Sequence, residues 1–240
     1  MKLAEHFYQV GGDKLSHPDD ATSYLIDGGS EGLYLVDCGT PDGYQAILSN
    51  IRSLGFRPES IKAILGTHGH YDHVGSAYLW QEEFSIPLYL HEADKERVET
   101  ADGIQTTAQL LYGKDFPAVG VKKLLEDGQS FKLDKGSIEV IHTPGHTPGG
   151  VCFIVHLSGL SILLAGDTLW GGFSREILSD EEDWKKSLLK LQDYDYDLLS
   201  FGHTGPCLYG EAKARVEEAY RQFAVYYNPW FKPMKESFRF

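Results

Sequence analysis

Residues 67–75 read Thr-His-Gly-His-Tyr-Asp-His-Val-Gly, so that His68, His70, Asp72 and His73 fall within six positions, directly after the apolar run Ala63, Ile64, Leu65. Neutral imidazoles together with a carboxylate are the donor set that suits zinc and, less selectively, iron, manganese or cobalt. His68 and His70 alternate as on the end of a strand, which lets both point the same way. Asp72 and His73 follow on a turn and can be aimed at a second point. Four donors this close crowd one ion, so the spacing suggests two metals side by side.

Upstream of this cluster, residues 10–12, 22–26 and 33–36 carry β-branched or aromatic side chains between Gly-rich turns, the pattern of short antiparallel strands. A helix is expected where Tyr44, Ile47, Leu48, Ile51 and Leu54 recur at helical spacing, ended by Gly55. Residues 61–65 read as the buried strand that delivers the histidines, followed by a helix over 76–84 and a strand over 87–90. From 92 to about 114 the chain is polar and rich in helix formers, which predicts a helical insertion at about 92–116, closed by Pro117 and Gly120. In an enzyme such an excursion often forms a lid or substrate wall.

Strand signals then come in quick succession at 121–125, 131–133, 138–141, 151–155 and 161–165, separated by Asp-Gly, Lys-Gly and Ser-Gly turns. Ser179 and Glu182 have the spacing of a capping box opening a helix striped by Trp184, Leu188 and Leu191. One more strand is expected at 198–201 and a last helix near 211–226, burying Val216, Ala219, Tyr220 and Phe223. Strands followed by a helix occur twice, with donor-rich turns after strands in each half. Two mixed sheets face to face with helices outside satisfy that pattern. The tail at 227–240, with Trp230, Phe231, Phe238 and Phe240, is aromatic enough to pack on the domain or to join copies into a homo-oligomer.

Composition narrows the partners. A net charge of −13, without any run of Lys or Arg, argues against nucleic acid and anionic membrane, which need a basic face. The N-terminus has no apolar stretch of the signal-peptide kind, so the cytoplasm is the expected compartment. Cys38, Cys152 and Cys207 are far apart and form no C-x-x-C pair, which reads as reduced and mostly buried thiols, with Cys207 close in sequence to His203.

Three further turns each follow an apolar run. Residues 143–149, Thr-Pro-Gly-His-Thr-Pro-Gly, hold His146 on a backbone fixed by two prolines; Gly166-Asp167-Thr168 and Gly202-His203-Thr204 come after the runs at 162–165 and 198–201. The ordered set His68, His70, Asp72, His73, His146, Asp167, His203 resembles the pattern of the metallo-β-lactamase superfamily over nearly the whole chain. That resemblance implies a single domain over 1–240 with the α/β fold of the superfamily, a four-layer αββα sandwich of two mixed sheets with helices on both outer faces and the site at one edge.

The resemblance also implies that His68, His70 and His146 hold a first metal, that Asp72, His73 and His203 hold a second, and that Asp167 bridges them. Asp37 matches a position whose carboxylate braces the metal loop. The nearest branches are glyoxalase II-like thioester hydrolases and lactonases. The expected cofactors are two divalent ions, zinc first, with iron or manganese as alternatives, about 3.5 Å apart and sharing a hydroxide that attacks the carbonyl of a small acyl substrate, a thioester, lactone or ester. Asp72 would be both ligand and proton shuttle. The segment after His203 is too short for the helical glutathione-binding region of glyoxalase II. A rival branch is the mononuclear iron persulfide dioxygenase, which uses the first site alone. His6, His17, His91, His142 and His156 lie outside the pattern, and a structural role is expected for His142.

Overall fold

The computed structural model describes residues 1–169, 171–203 and 208–223. Seven strands, β1 (Lys2–Ala4), β2 (Phe7–Gly11), β3 (Ser23–Asp27), β4 (Leu33–Val36), β5 (Ile61–Leu65), β6 (Leu88–His91) and β7 (Val121–Leu125), form one sheet in sequence order. Pairing is antiparallel from β1 to β4 and parallel from β4 to β7. The second sheet runs β12-β11-β10-β9-β8, from β8 (Ser130–Leu133), β9 (Gly136–His142), β10 (Val151–Leu157), β11 (Leu160–Leu164) and β12 (Leu198–Ser200). Only its β11–β12 pair is parallel.

Parallel pairs need crossovers, and the crossovers supply the outer layers. α1 (Tyr44–Ser53) buries Tyr44, Ile47, Leu48 and Ile51 against the outer face of the first sheet. It stops where Gly55, at φ 86°, lets its own N–H and that of Phe56 turn back onto the carbonyls of Arg52 and Ile51. Each such aliphatic side chain contributes about 1.5–3 kcal/mol by leaving water. The short α2 (Tyr71–Val74) and then α3 (Ala77–Phe84) and α4 (Glu92–Glu99) follow, α3 placing Trp80 in the same core. α6 (Glu181–Leu191) and α7 (Ala212–Phe223) cover the second sheet through Trp184, Leu188, Leu191 and Val216.

β10 shows why the sheets stack. Val151, Phe153, Val155 and Leu157 face the first sheet's Phe7, Tyr24, Val36 and Leu65, while Cys152 and Ile154 face the helices. Both faces are covered over residues 151–155, so that part of the strand is an unbroken apolar run rather than an alternating one, and His156 near its end is partly open. The layers are therefore helix, sheet, sheet, helix, as expected.

Details differ from the sequence reading. β2 begins three residues before the expected 10–12, β3 lies within one residue of 22–26, and an additional strand, β1, pairs with β2. The insertion is two helices, α4 and α5 (Ala108–Tyr112), split by a turn in which Ala101 and Thr107 take positive φ. The cap of α6 is shifted by one residue: Asp180, not Ser179, accepts from the N–H three residues on, that of Asp183. Ser179 is drawn off to donate to the His146 carbonyl at 2.7 Å. α7 is described from Ala212 to Phe223, and the expectations for 224–240 and for Cys207 concern residues outside the described ones. Cys38 and Cys152 are buried free thiols, and burial pushes the Cys152 thiol up to about 11, which makes them inert filler.

Candidate metal centre

Five strand ends open on one edge of the sandwich, and each delivers part of the site. Asp37 follows β4, His68 and His70 follow β5, His146 follows β9, Asp167 follows β11 and His203 follows β12. β5 ends at Leu65, so His68 and His70 are not on a strand; they converge because the loop between them bends at Gly69. Asp72 and His73 are not on an open turn either but in α2, where adjacent side chains splay.

The seven residues meet in two groups. His68, His70 and His146 offer nitrogens within 4.8 Å of one another, as do the donor atoms of Asp72, His73 and His203. His70 Nδ1 is 2.9 Å from His68 Nε2 and 3.2 Å from His146 Nε2. In the second group His203 Nε2 lies 3.1 Å from Asp72 Oδ2 and 3.3 Å from His73 Nε2. Asp167 spans both: Oδ2 is 3.5 Å from His146 Nε2, while Oδ1 is 3.3 Å from His73 Nε2 and 3.5 Å from His203 Nε2.

Protein oxygens already occupy the far nitrogens of three rings. His146 Nδ1 donates to the Gly172 carbonyl at 2.8 Å, His73 Nδ1 to Asp37 Oδ2 at 2.8 Å, and His68 Nδ1 faces the Thr67 hydroxyl at 3.1 Å. A ring whose outer nitrogen holds the proton presents a bare lone pair inward, which is what a metal requires. Among the described residues Asp167 Oδ1 is buried without a hydrogen-bond donor, another mark of a place where a cation fits.

The electrostatics of the groups differ. Burial drives His68 and His70 well below the usual imidazole range, with neighbouring imidazoles adding to it, and also lowers His146. Burial opposes charge on His73 and His203 as well, but the carboxylates of Asp72 and Asp167 outweigh it, pushing His203 up to about 10 and His73 well above its ordinary value. Asp167, despite burial, is held well below the carboxylate range by His203 and His73, and Asp72 is lowered by the same pair. The first group is thus a set of three neutral donors, the second a charge-balanced set.

Asp37 is a brace and not a simple turn residue. Its Oδ1 accepts from the Thr67 N–H at 2.8 Å and its Oδ2 from the Thr67 hydroxyl, also at 2.8 Å, in addition to His73. His142 has the structural part expected of it: it stacks on His91 at 3.8 Å and its Nε2 donates to the Pro148 carbonyl. Two residues escaped the sequence reading. Tyr112 of α5, read only as an apolar contact, packs tilted against Tyr71 at 5.3 Å, near the Asp72 carboxylate; burial and then the Asp72 charge keep its phenol protonated. Asp94 of α4 is wholly buried beside the His68–His70 loop. Nothing local distinguishes either from an ordinary helix residue.

Comparison with known proteins agrees with this geometry. The profile described as the metallo-beta-lactamase superfamily matches residues 18–203. A probable metallo-hydrolase of Bacillus subtilis is 33% identical over 114 residues, 47% of this chain and 52% of that protein. The hydroxyacylglutathione hydrolase GloC of Haemophilus influenzae is 34% identical over 119 residues, covering 48% of this chain and 54% of that one. The chain thus spans about half the length of these relatives. A solved metallo-beta-lactamase of Cronobacter sakazakii, a motif mutant, superposes with a TM-score of 0.77 at 22% identity, over 93% of this chain and 92% of that one, a likeness of fold. The profile match takes in every one of the seven clustered residues, and on it this chain belongs to the metallo-β-lactamase superfamily.

Proposed function

We propose that the protein is a binuclear metal-dependent hydrolase that attacks the carbonyl carbon of a thioester, ester or lactone and breaks its acyl C–S or C–O bond, with zinc as the preferred ion. One observation carries the reading: the Asp167 carboxylate lies across both donor groups, one oxygen on each, which makes them halves of a single centre. The likeness to a hydroxyacylglutathione hydrolase supports the choice of a thioester first. His68, His70 and His146 would hold one ion, Asp72, His73 and His203 the other, and Asp167 both. Bound there, two divalent ions supply Lewis acidity toward a carbonyl oxygen and a water acidic enough to act near neutral pH.

The chain's own groups do the rest. Asp72, whose carboxylate faces the open side of the centre beside His203 at 3.1 Å, would take the proton of the attacking water and hand it to the leaving group. The Tyr112 phenol, protonated next to that carboxylate, would help to orient it. His203, a quarter exposed, is on the open side of the centre, where substrate would approach.

The test is a zinc titration of metal-free protein combined with turnover of a panel of thioesters, aryl esters and lactones. Two ions per chain and hydrolysis restored by zinc or manganese are expected. A single tightly held iron with oxygen uptake on a persulfide, and no acyl hydrolysis, would replace this reading with the dioxygenase one.

A further inference from the structure

α4 lies between the two loops that bear the first group. Asp94, wholly buried, accepts on Oδ2 from the Gly69 N–H and from the Thr147 hydroxyl, both at 2.8 Å, and on Oδ1 from the Gly149 N–H at 2.9 Å. Gly69 separates His68 from His70, and Thr147 and Gly149 follow His146. The fit is close: a Cβ on Gly149 would come within 2.6 Å of Asp94 Cγ. Arg97, one turn on and also buried, sets Nη2 3.3 Å from Asp94 Oδ1. Its Nη1 donates to the carbonyls of Gln105 at 3.1 Å and Ile177 at 3.4 Å, the latter in the segment that follows Asp167 and Gly172.

Taking an ion pair out of water costs several kcal/mol per ion before partial recovery, so a pair of this kind is poor evidence of stability for its own sake. What it does here is geometric. The first sheet supplies the His68–His70 loop and the second sheet supplies the His146 turn, and one carboxylate is hydrogen-bonded to both. None of its partners belongs to the second group, which is braced instead by Asp37.

We propose that Asp94, with Arg97 as its counter-charge, is a positioning residue that sets the spacing of His70 and His146 and so tunes the first metal site selectively. The proposal rests on the binuclear reading. It also gives α4 a part other than lid or wall, since its inner face is tied to the backbone under the metal donors. The sharpest perturbation is Asp94→Asn. The volume is kept, but the amide nitrogen must replace one of two oxygens, and a backbone N–H points at each, from Gly69 at one and Gly149 at the other. Either orientation sets donor against donor on one of the loops.

The experiment measures zinc affinity by competition with a chromophoric chelator, using the full chain freed of metal. It is run in two backgrounds: His203→Ala, which leaves the first site intact, and His146→Ala, which leaves the second. Asp94→Asn is expected to weaken zinc by about 10–100-fold in the first background and to leave the second unchanged within about twofold. Cobalt absorption in the His203→Ala background should shift in band position and intensity. Thr147→Val, which removes one contact of the set, should act in the same direction and more weakly, and it carries the comparison where Asp94→Asn does not fold. Equal weakening in both backgrounds, or none in either, overturns the positioning role. A wild-type chain that takes up no second ion would instead overturn the binuclear reading, an outcome visible before any Asp94 variant is made.

Discussion

Replacing Asp37 by Asn asks whether the second site depends on where a proton sits. Asp37 occupies the left-handed region at φ 53°, which Asn tolerates as well as Asp, so the backbone is not disturbed. The carboxylate takes three donors: the Thr67 N–H, the Thr67 hydroxyl and His73 Nδ1. The amide keeps one oxygen. With that oxygen toward the Thr67 N–H, its nitrogen stands 2.8 Å from His73 Nδ1 and donates to it. His73 must then move its proton to Nε2, the atom 3.3 Å from both Asp167 Oδ1 and His203 Nε2, and the lone pair the metal needs is gone. With the amide reversed, its nitrogen meets the Thr67 N–H instead.

Either way one or two charge-assisted bonds are lost, about 1.5–3 kcal/mol each. We expect the second ion to bind about 10–100-fold more weakly and the metal-free fold to lose about 3 kcal/mol. Zinc competition and urea unfolding of metal-free protein, run side by side, separate the two effects. An Asp37→Asn protein that unfolds earlier but takes the second ion with unchanged affinity would refute the argument from tautomer.

Three further outcomes follow from the same geometry. Asp167→Ala should reduce bound metal and cut turnover by about 100-fold or more, because among the described residues no other carboxylate lies across both groups; metal analysis together with acyl-substrate kinetics checks it. Tyr112→Phe should lower kcat by about tenfold with metal content unchanged, since it removes the protonated phenol beside Asp72, and equal kcat values would remove Tyr112 from the mechanism. Gly145→Ala should destabilise the chain by about 2–4 kcal/mol in urea unfolding, since Gly145 has φ 145° and its Cβ would lie 2.3 Å from Trp184 Cα.

The layered architecture and the identity of the seven clustered residues were legible because each signal is local: an apolar run, then a turn carrying a histidine or aspartate. His146 illustrates this, since its two prolines and its glycines announce a held backbone before any partner is known. What was not legible depends on contacts far apart in the chain. Asp94 gains its meaning from Thr147 and Gly149, and Tyr112 from Asp72, and neither has a neighbour that predicts this. The shifted α6 cap has the same origin, because Ser179 is pulled away by the carbonyl of His146. The strand reading of His68 and His70 failed for a different reason: alternation and a sharp bend at Gly69 both bring two side chains together, and the spacing cannot distinguish them.

Each sheet is built from one continuous stretch of chain, residues up to Leu125 in the first and from Ser130 onward in the second. The donor groups ignore that division. His68 and His70 belong to the first stretch and His146 to the second, and likewise Asp72 and His73 are answered by His203. A chain severed between β7 and β8 would therefore yield two fragments, each lacking the completing ligand of both ions. On the binuclear reading, zinc would act as a glue between them, and recovery of metal binding on mixing would report reassembly of the sandwich with no label attached.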